Sequence, residues 1–192
     1  MIIKELQGEV HLKIVYFGPA LSGKTTNLEK IHEKISPKFR SDLTTIKTRE
    51  DRTLFFDFMQ LNMGKINGLL PRFNLYTVPG QAYYQATRQL VLVGVDGIVF
   101  VADSQPDRMD DNIQAYFDLQ KYLQEMEKST SSIPVVLQCN KQDLNDAVLP
   151  DDIQKNLAAN GLPCVPSSAL NGSGVIETLN QIISNVGRML EI

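Results

Sequence analysis

Gly18-Pro19-Ala20-Leu21-Ser22-Gly23-Lys24-Thr25, running on into Thr26, is the stretch from which the fold can be worked out. It satisfies the pattern G-x-x-x-x-G-K-[ST], and its surroundings are those the pattern requires. The apolar run H-L-K-I-V-Y-F (11–17) ahead of it reads as a strand, and helix-period sequence from about Lys24 to Ile35 follows. In such a turn successive backbone N–H groups, here about Leu21 to Thr26, point at one place, and the helix N-terminus adds positive potential, so the loop suits phosphate. Gly18, Leu21, Ser22, Gly23, Lys24, Thr25 and Thr26 are therefore the candidate phosphate-binding residues. Lys24 is expected to reach β- and γ-phosphates, and the Thr25 hydroxyl to bind Mg²⁺. Ala20 stands where glycine is common, so its peptide must keep out of a glycine-only conformation.

Working outward, apolar runs alternate with helical periodicity. D-G-I-V-F-V-A (96–102) and I-P-V-V-L-Q-C (133–139) are short, β-branched and almost wholly apolar, as strands covered on both faces are. Between them Met109, Ile113, Tyr116, Leu119 and Leu123 mark a helix over about 107–126. Val175, Ile176, Leu179, Ile182, Ile183, Val186 and Leu190 mark another laid on the sheet. One section breaks the alternation: T-L-F-F-D-F-M-Q-L (53–61) and L-L-P-R-F-N-L-Y-T-V (69–78) are too close for an intervening helix and predict a hairpin. Pro71 weakens the expected pairing there. The expected fold is α/β: a three-layer sandwich on a mostly parallel six-stranded sheet with one antiparallel edge strand, forming a single domain over 1–192. Ligands of such sheets bind beyond the carboxyl ends of the strands.

The bulk properties exclude several classes. With 43% apolar residues the chain can fill a core, and its net charge of −3 offers no electrostatic footprint for nucleic acid. Cys139 and Cys164 are too few for a disulfide scaffold, lack metal-ligand spacing and read as core thiols of a reducing cytoplasm. No run is long enough to span a bilayer. The termini carry neither an acylation nor a prenylation signal, so no direct membrane anchor is expected and any recruitment to a cell pole falls to partners.

Two further motifs define the ligand. Asn140-Lys141-Gln142-Asp143 follows a strand. An Asp carboxylate there accepts from both N1–H and the N2 amino group of guanine, whereas adenine would leave it unpaired. Lys141 would lie along the purine, and Asn140 would tie this loop to the phosphate loop. Ser168-Ala169-Leu170, after the strand-like L-P-C-V (162–165), offers a backbone N–H near Ala169 to guanine O6. Thr77-Val78-Pro79-Gly80-Gln81 raises a difficulty. In hydrolases with such a loop a strand ends in D-x-x-G, whose Asp helps hold Mg²⁺ and whose Gly senses the γ-phosphate. Here Gly80 is in place but Thr77 occupies the Asp position. His11 and His32 belong to no catalytic constellation, Phe55, Phe56 and Phe58 read as packing, and Glu50, Asp51, Asp110 and Asp111 as solvated charge. The arginine between Pro37 and Arg52 that would serve hydrolysis is left open by spacing, with Arg40, Arg49 and Arg52 all eligible.

The succession G-P-A-L-S-G-K-T-T, D-R-T-L-F-F-D-F, R-F-N-L-Y-T-V-P-G-Q, D-G-I-V-F-V-A-D-S and N-K-Q-D-L resembles the bacterial MglA-type small GTPases, Ras-like proteins of cell polarity and gliding motility, over nearly the whole chain. The resemblance implies a Ras-like P-loop fold, hydrolysis of GTP to GDP with Mg²⁺, and a Roadblock/LC7-type activating partner like MglB that remodels switch segments without inserting an arginine. It selects Arg52 as an internal arginine finger, Thr53 as the switch residue at Mg²⁺ and γ-phosphate, and Gln81 as the group orienting the attacking water. It also implies that Thr77 is the family's own habit rather than a lesion. Ala20, Tyr83 and the L-L-P before Arg72 depart from the family pattern and bear on partner specificity. Two rival readings remain: a nucleotide-binding scaffold without significant hydrolysis, and a P-loop kinase or ATPase, against which Asn140-Lys141-Gln142-Asp143 argues.

Overall fold

The computed structural model describes residues 2–4, 8–47, 55–65, 68–80 and 84–188. The strands are β1 (Ile2–Lys4), β2 (Glu9–Phe17), β3 (Thr44–Lys47), β4 (Phe55–Asn62), β5 (Leu70–Thr77), β6 (Gly97–Asp103), β7 (Val135–Asn140) and β8 (Cys164–Pro166). The helices are α1 (Lys24–Lys34), α2 (Gln85–Leu92), α3 (Met109–Glu125), α4 (Pro150–Asn156) and α5 (Val175–Gly187). All eight strands join one sheet in the order β3-β4-β5-β2-β6-β7-β8, with β1 paired to β2.

The expected class holds: β2, β5, β6, β7 and β8 are parallel, and the hairpin β4–β5 is antiparallel. The sheet is larger than the six strands expected, and β4 is not its edge. Four-residue β3 pairs antiparallel outside β4, and three-residue β1 pairs antiparallel with Glu9–His11 of β2. β6 meets β2 only from Ile14 onward, which leaves that earlier stretch of edge to β1. Strands this short carry too few residues to show a period of two. α2 and α4, of eight and seven residues, were unread for the same reason. Pro71 is accommodated because its missing N–H falls on the β4 side, just past the last β4–β5 pair, Asn62 with Arg72. Its carbonyl still accepts from the Met63 N–H at 3.3 Å.

Both faces of the sheet are covered. Val15, Phe17, Ile98, Phe100 and Leu137 pack with α2, α3 and α4 on one side. Leu12, Ile14, Val99, Val101 and Val136 pack with α1 and α5 on the other. β6 and β7 are buried along their whole length, as their unbroken apolar sequence predicts. Because five strands run the same way, their carboxyl ends bring together the loops after Phe17, Thr77, Asp103, Asn140 and Pro166. Among the described residues no helix is long and apolar enough to cross a membrane.

Candidate functional site

The turn from β2 into α1 spans Gly18 to Gly23. The left-handed conformation inside it is taken by Leu21 (φ 63°), not Ala20, which is how an alanine fits there. Gly23 caps α1 at φ 96°, and a Cβ on it would run into the Asn140 amide. That closeness reflects a real junction. Asn140 Nδ2 donates to the Ser22 carbonyl at 2.7 Å, and Asn140 Oδ1 accepts from the Ala169 N–H at 2.7 Å. One buried amide thus joins the phosphate-loop candidate, the end of β7 and the segment after β8.

Lys24 folds back onto the loop. Its Nζ donates to the Pro19 carbonyl at 2.6 Å and the Gly18 carbonyl at 3.1 Å. Burial pushes its pKa down to about 7; nearby Arg88 pushes the same way, and the Asp57 carboxylate pulls it partly back. Gly80 lies directly on the loop, where a Cβ would overlap Ala20 backbone and come within 2.8 Å of Lys24 Nζ.

The cleft has two lobes that share Leu21, Gly23 and Thr26. One, of about 270 Å³, is lined by Lys24, Thr25, Thr77 and Gly80 among others. The second, of about 320 Å³, is bounded by Gln105, Asn140, Lys141, Asp143, Ala169 and Leu170. Lys141, at φ 71°, has its ammonium fixed by Asp103 (2.5 Å) and Gln105 (2.7 Å), so its stem forms part of the wall.

Two details differ from the sequence reading. The Ala169 N–H already donates to Asn140, so a base carbonyl at that wall would have to share it. Ser168 stands behind the wall: its N–H donates to the Ser173 carbonyl, and it borders a separate recess with Gln142 and Asn171. Arg40 is committed elsewhere, donating to the Ile35 carbonyl at the end of α1 (2.9 Å) and contacting His32. His11 pairs with Glu9. Arg49, Arg52, Thr53, Gln81 and Tyr83 lie outside the described residues.

Three groups at the site went unread in the sequence. Arg88, 3% exposed, donates to the Pro79 carbonyl (3.0 Å) and the Gly80 carbonyl (2.6 Å) and pairs with Asp118 (3.2 Å). Arg108 donates to the Ala20 carbonyl at 2.9 Å and is aimed by Asp111 at 2.7 Å, so Asp111 is not merely solvated charge. Asp57 sits 2% exposed on the α1 face of β4. Its sequence signal was a lone carboxylate in phase with Met59 and Leu61, both of which are core.

A strand that turns through a G-x-x-x-x-G-K-T loop into a helix, beside a cleft at the carboxyl ends of a doubly covered parallel sheet, defines a P-loop α/β protein. The chain belongs to the ADP-ribosylation factor family of Ras-like small GTPases, whose sequence profile matches residues 1–186. It is 46% identical over 174 residues to the mutual gliding-motility protein MglA of Myxococcus xanthus, covering 91% of this chain and 89% of that one, so the resemblance to MglA-type proteins holds. More distant relatives include ADP-ribosylation factor F of Dictyostelium discoideum, 23% identical over 96% of this chain and 90% of that one. Human ADP-ribosylation factor-like protein 4A is 28% identical, over 94% and 86% respectively.

Proposed function

We propose that the protein is a GTP-binding switch that hydrolyses GTP to GDP and controls cell polarity or motility through partners that read its GTP form. The observation that carries this is the continuity of the two lobes. A base lobe walled by Asn140, Lys141 and Asp143 opens at Leu21, Gly23 and Thr26 into a phosphate lobe floored by Lys24 and Thr25. Asp143 selects guanine, the loop N–H groups from Leu21 to Thr26 hold phosphates, and Thr25 with Thr53 holds Mg²⁺. The donor set suits that ion: the Thr25 hydroxyl gives its proton to Asp57 at 2.7 Å, which leaves its lone pairs for a cation. When bound, Mg²⁺ neutralises phosphate charge. Gly80 lies against Ala20 and Lys24, so a terminal phosphate reaching Lys24 must lift it. The gliding-motility relative supports the cellular role and, with it, a Roadblock/LC7-type activator acting on a cytoplasmic protein.

The test is competition between GTP and ATP, then Asp143→Asn. That substitution turns one acceptor into a donor facing the guanine amino group. It is expected to weaken GTP binding by ~5–150-fold, the equivalent of ~1–3 kcal/mol, and to favour xanthosine nucleotides. Unchanged GTP affinity would place the base elsewhere. Phosphate release with and without a Roadblock-type protein separates a hydrolase from a binding scaffold.

Lys24 supplies a pH signature. Its pKa of about 7 lies below the ordinary 10.5, so the unfolded chain holds more protons between those values, and this group's penalty on stability is relieved as pH rises through that window. Polyphosphate favours the ammonium, so binding should draw in a proton, with affinity falling as pH climbs above about 7. More proton uptake per nucleotide is expected at pH 8 than at pH 6. Titration calorimetry in buffers of different ionisation enthalpy measures it; equal uptake at both pH values would assign the proton to another group.

A further inference from the structure

Strand β7 carries two carboxamides on the face covered by α1 and α5. Asn140, at the strand end, joins Ser22 to Ala169. Gln138, two residues earlier and 0% exposed, lies deeper on the same face. Its Nε2 donates to Asn27 Oδ1 on α1 at 2.9 Å and to Thr178 Oγ1 on α5 at 3.0 Å. Each of those partners sits four residues after a left-handed glycine that caps its helix, Gly23 (φ 96°) and Gly174 (φ 71°). Each also reaches back to that glycine's carbonyl, Asn27 Nδ2 at 3.0 Å and Thr178 Oγ1 at 2.8 Å. Asn27 therefore turns its amide nitrogen to Gly23 and its oxygen to β7. Thr178 spends its single proton on Gly174, so toward Gln138 its oxygen can only accept. Both need a proton from Gln138, and an amide nitrogen supplies two from one atom. The layer around them is apolar, with Leu28, Ile31, Val136, Val175 and Leu179. The Gln138 Oε1 is buried and, among the described residues, accepts no hydrogen bond. Burial alone would favour an apolar residue here, so what the carboxamide contributes is its two donors.

We infer that Gln138 is a positioning residue for the polyphosphate: acting through Asn27, it fixes the Gly23–Lys24 peptide so that the Lys24 N–H faces the phosphate lobe. This rests on the proposed nucleotide site. A trans peptide is planar, and its C=O and N–H point opposite ways. The Gly23 carbonyl is drawn into the first turn of α1 by two donors, the Asn27 N–H at 2.9 Å and Asn27 Nδ2. The Lys24 N–H of the same peptide is thereby turned toward the lobe that Gly23 and Lys24 line. The Ser22 carbonyl, held by Asn140, does the same for the Gly23 N–H. Two successive phosphate donors are thus aimed from one strand, one by Asn140 directly and one by Gln138 at one remove. Thr178 steadies Gln138 from α5.

The experiment is titration of the full chain, freed of nucleotide, with guanosine diphosphate at fixed Mg²⁺. Gln138→Met keeps the side-chain length and removes both donors. Loss of one hydrogen bond to a charged group corresponds to ~10–100-fold, so the dissociation constant should rise by that factor with the binding stoichiometry unchanged. A merely structural defect would lower the stoichiometry, through the folded fraction, and leave the constant of the remainder as it was. Asn27→Ala should raise the constant by a similar factor. Because Gln138 acts through Asn27, adding Gln138→Met to Asn27→Ala should change it by no more than ~2-fold. Thr178→Val, which leaves the bond from Gln138 to Asn27, should raise it by less than Gln138→Met does. A Gln138→Met constant equal to the parent's, full multiplication of the Gln138→Met and Asn27→Ala effects, or a Thr178→Val effect as large as that of Gln138→Met each overturns the assignment. Should Gln138→Met not fold, Asn27→Ala and Thr178→Val decide it: a large effect of the first and a small one of the second support it, and equal effects overturn it. Failure of the parent itself to bind guanosine diphosphate sinks the nucleotide site and this inference together, an outcome distinct from the others.

Discussion

Arg52→Ala and Gln81→Leu are each expected to abolish partner-stimulated GTP hydrolysis while leaving GTP affinity within a small factor. Phosphoryl transfer to water requires that charge on the transferring group be neutralised and that the nucleophile be held, and an arginine finger contributes ~10³–10⁵ in rate. If Arg52 is that arginine and intrinsic turnover is slow, it must usually point away from the phosphates. The activator then works by shifting switch conformers rather than by adding a group. Two controls bracket the claim. Lys24→Ala should lose nucleotide binding itself, because its ammonium is the cation on the floor of the phosphate lobe. Thr77→Asp should not raise turnover, because metal charge does not limit a misaligned site. Single-turnover hydrolysis with saturating partner and Mg²⁺ is the measurement. Stimulation of Arg52→Ala equal to that of the parent would mean that the arginine comes from elsewhere.

Arg88→Ala is expected to cost ~1–3 kcal/mol of folding stability, the range for leaving a buried acceptor without its donor. The guanidinium holds three acceptors at once: Asp118 on α3 and the carbonyls of Pro79 and Gly80. Alanine leaves all of them without that donor and frees the segment that leads into Gln81. Arg88→Lys keeps the charge but not the fork, and should fall between. Chemical denaturation checks the first claim, and a loss below about 1 kcal/mol would contradict it. A second readout follows from Lys24, whose ammonium Arg88 disfavours. In Arg88→Ala the Lys24 pKa should rise, and proton uptake on nucleotide binding at pH 8 should shrink.

The phosphate-loop candidate, the parallel core strands and the Asn140-Lys141-Gln142-Asp143 segment were legible because each is local: a fixed spacing of small and charged residues, or a run of apolar ones, at a strand end. The hairpin was legible from the short gap between two strand-like runs. β1, β3, α2 and α4 were not, since three to eight residues show little periodicity and the neighbouring chain decides their state. Asn140 was expected to bind the phosphate loop, and it does. Its simultaneous hold on Ala169 was invisible, because Asn140 and Ala169 are 29 residues apart and meet only through the β7–β8 pairing.

By itself, then, the sequence determined the class of fold, the turn from β2 into α1, and the departure at Thr77. The buried contact of Thr77 with Asp57 on β4 was decided only in three dimensions. Side chains along a strand alternate between faces, so the β4–β5 register determines whether Asp57 points at α1 or away from it, and a slip of one residue would turn it to the opposite layer. Sequence spacing records which residues share a strand or a helix. Which oxygen of Thr25, Thr45 or Thr77 lies within 3 Å of which carboxylate depends on how separate elements pack, and no local pattern carries that.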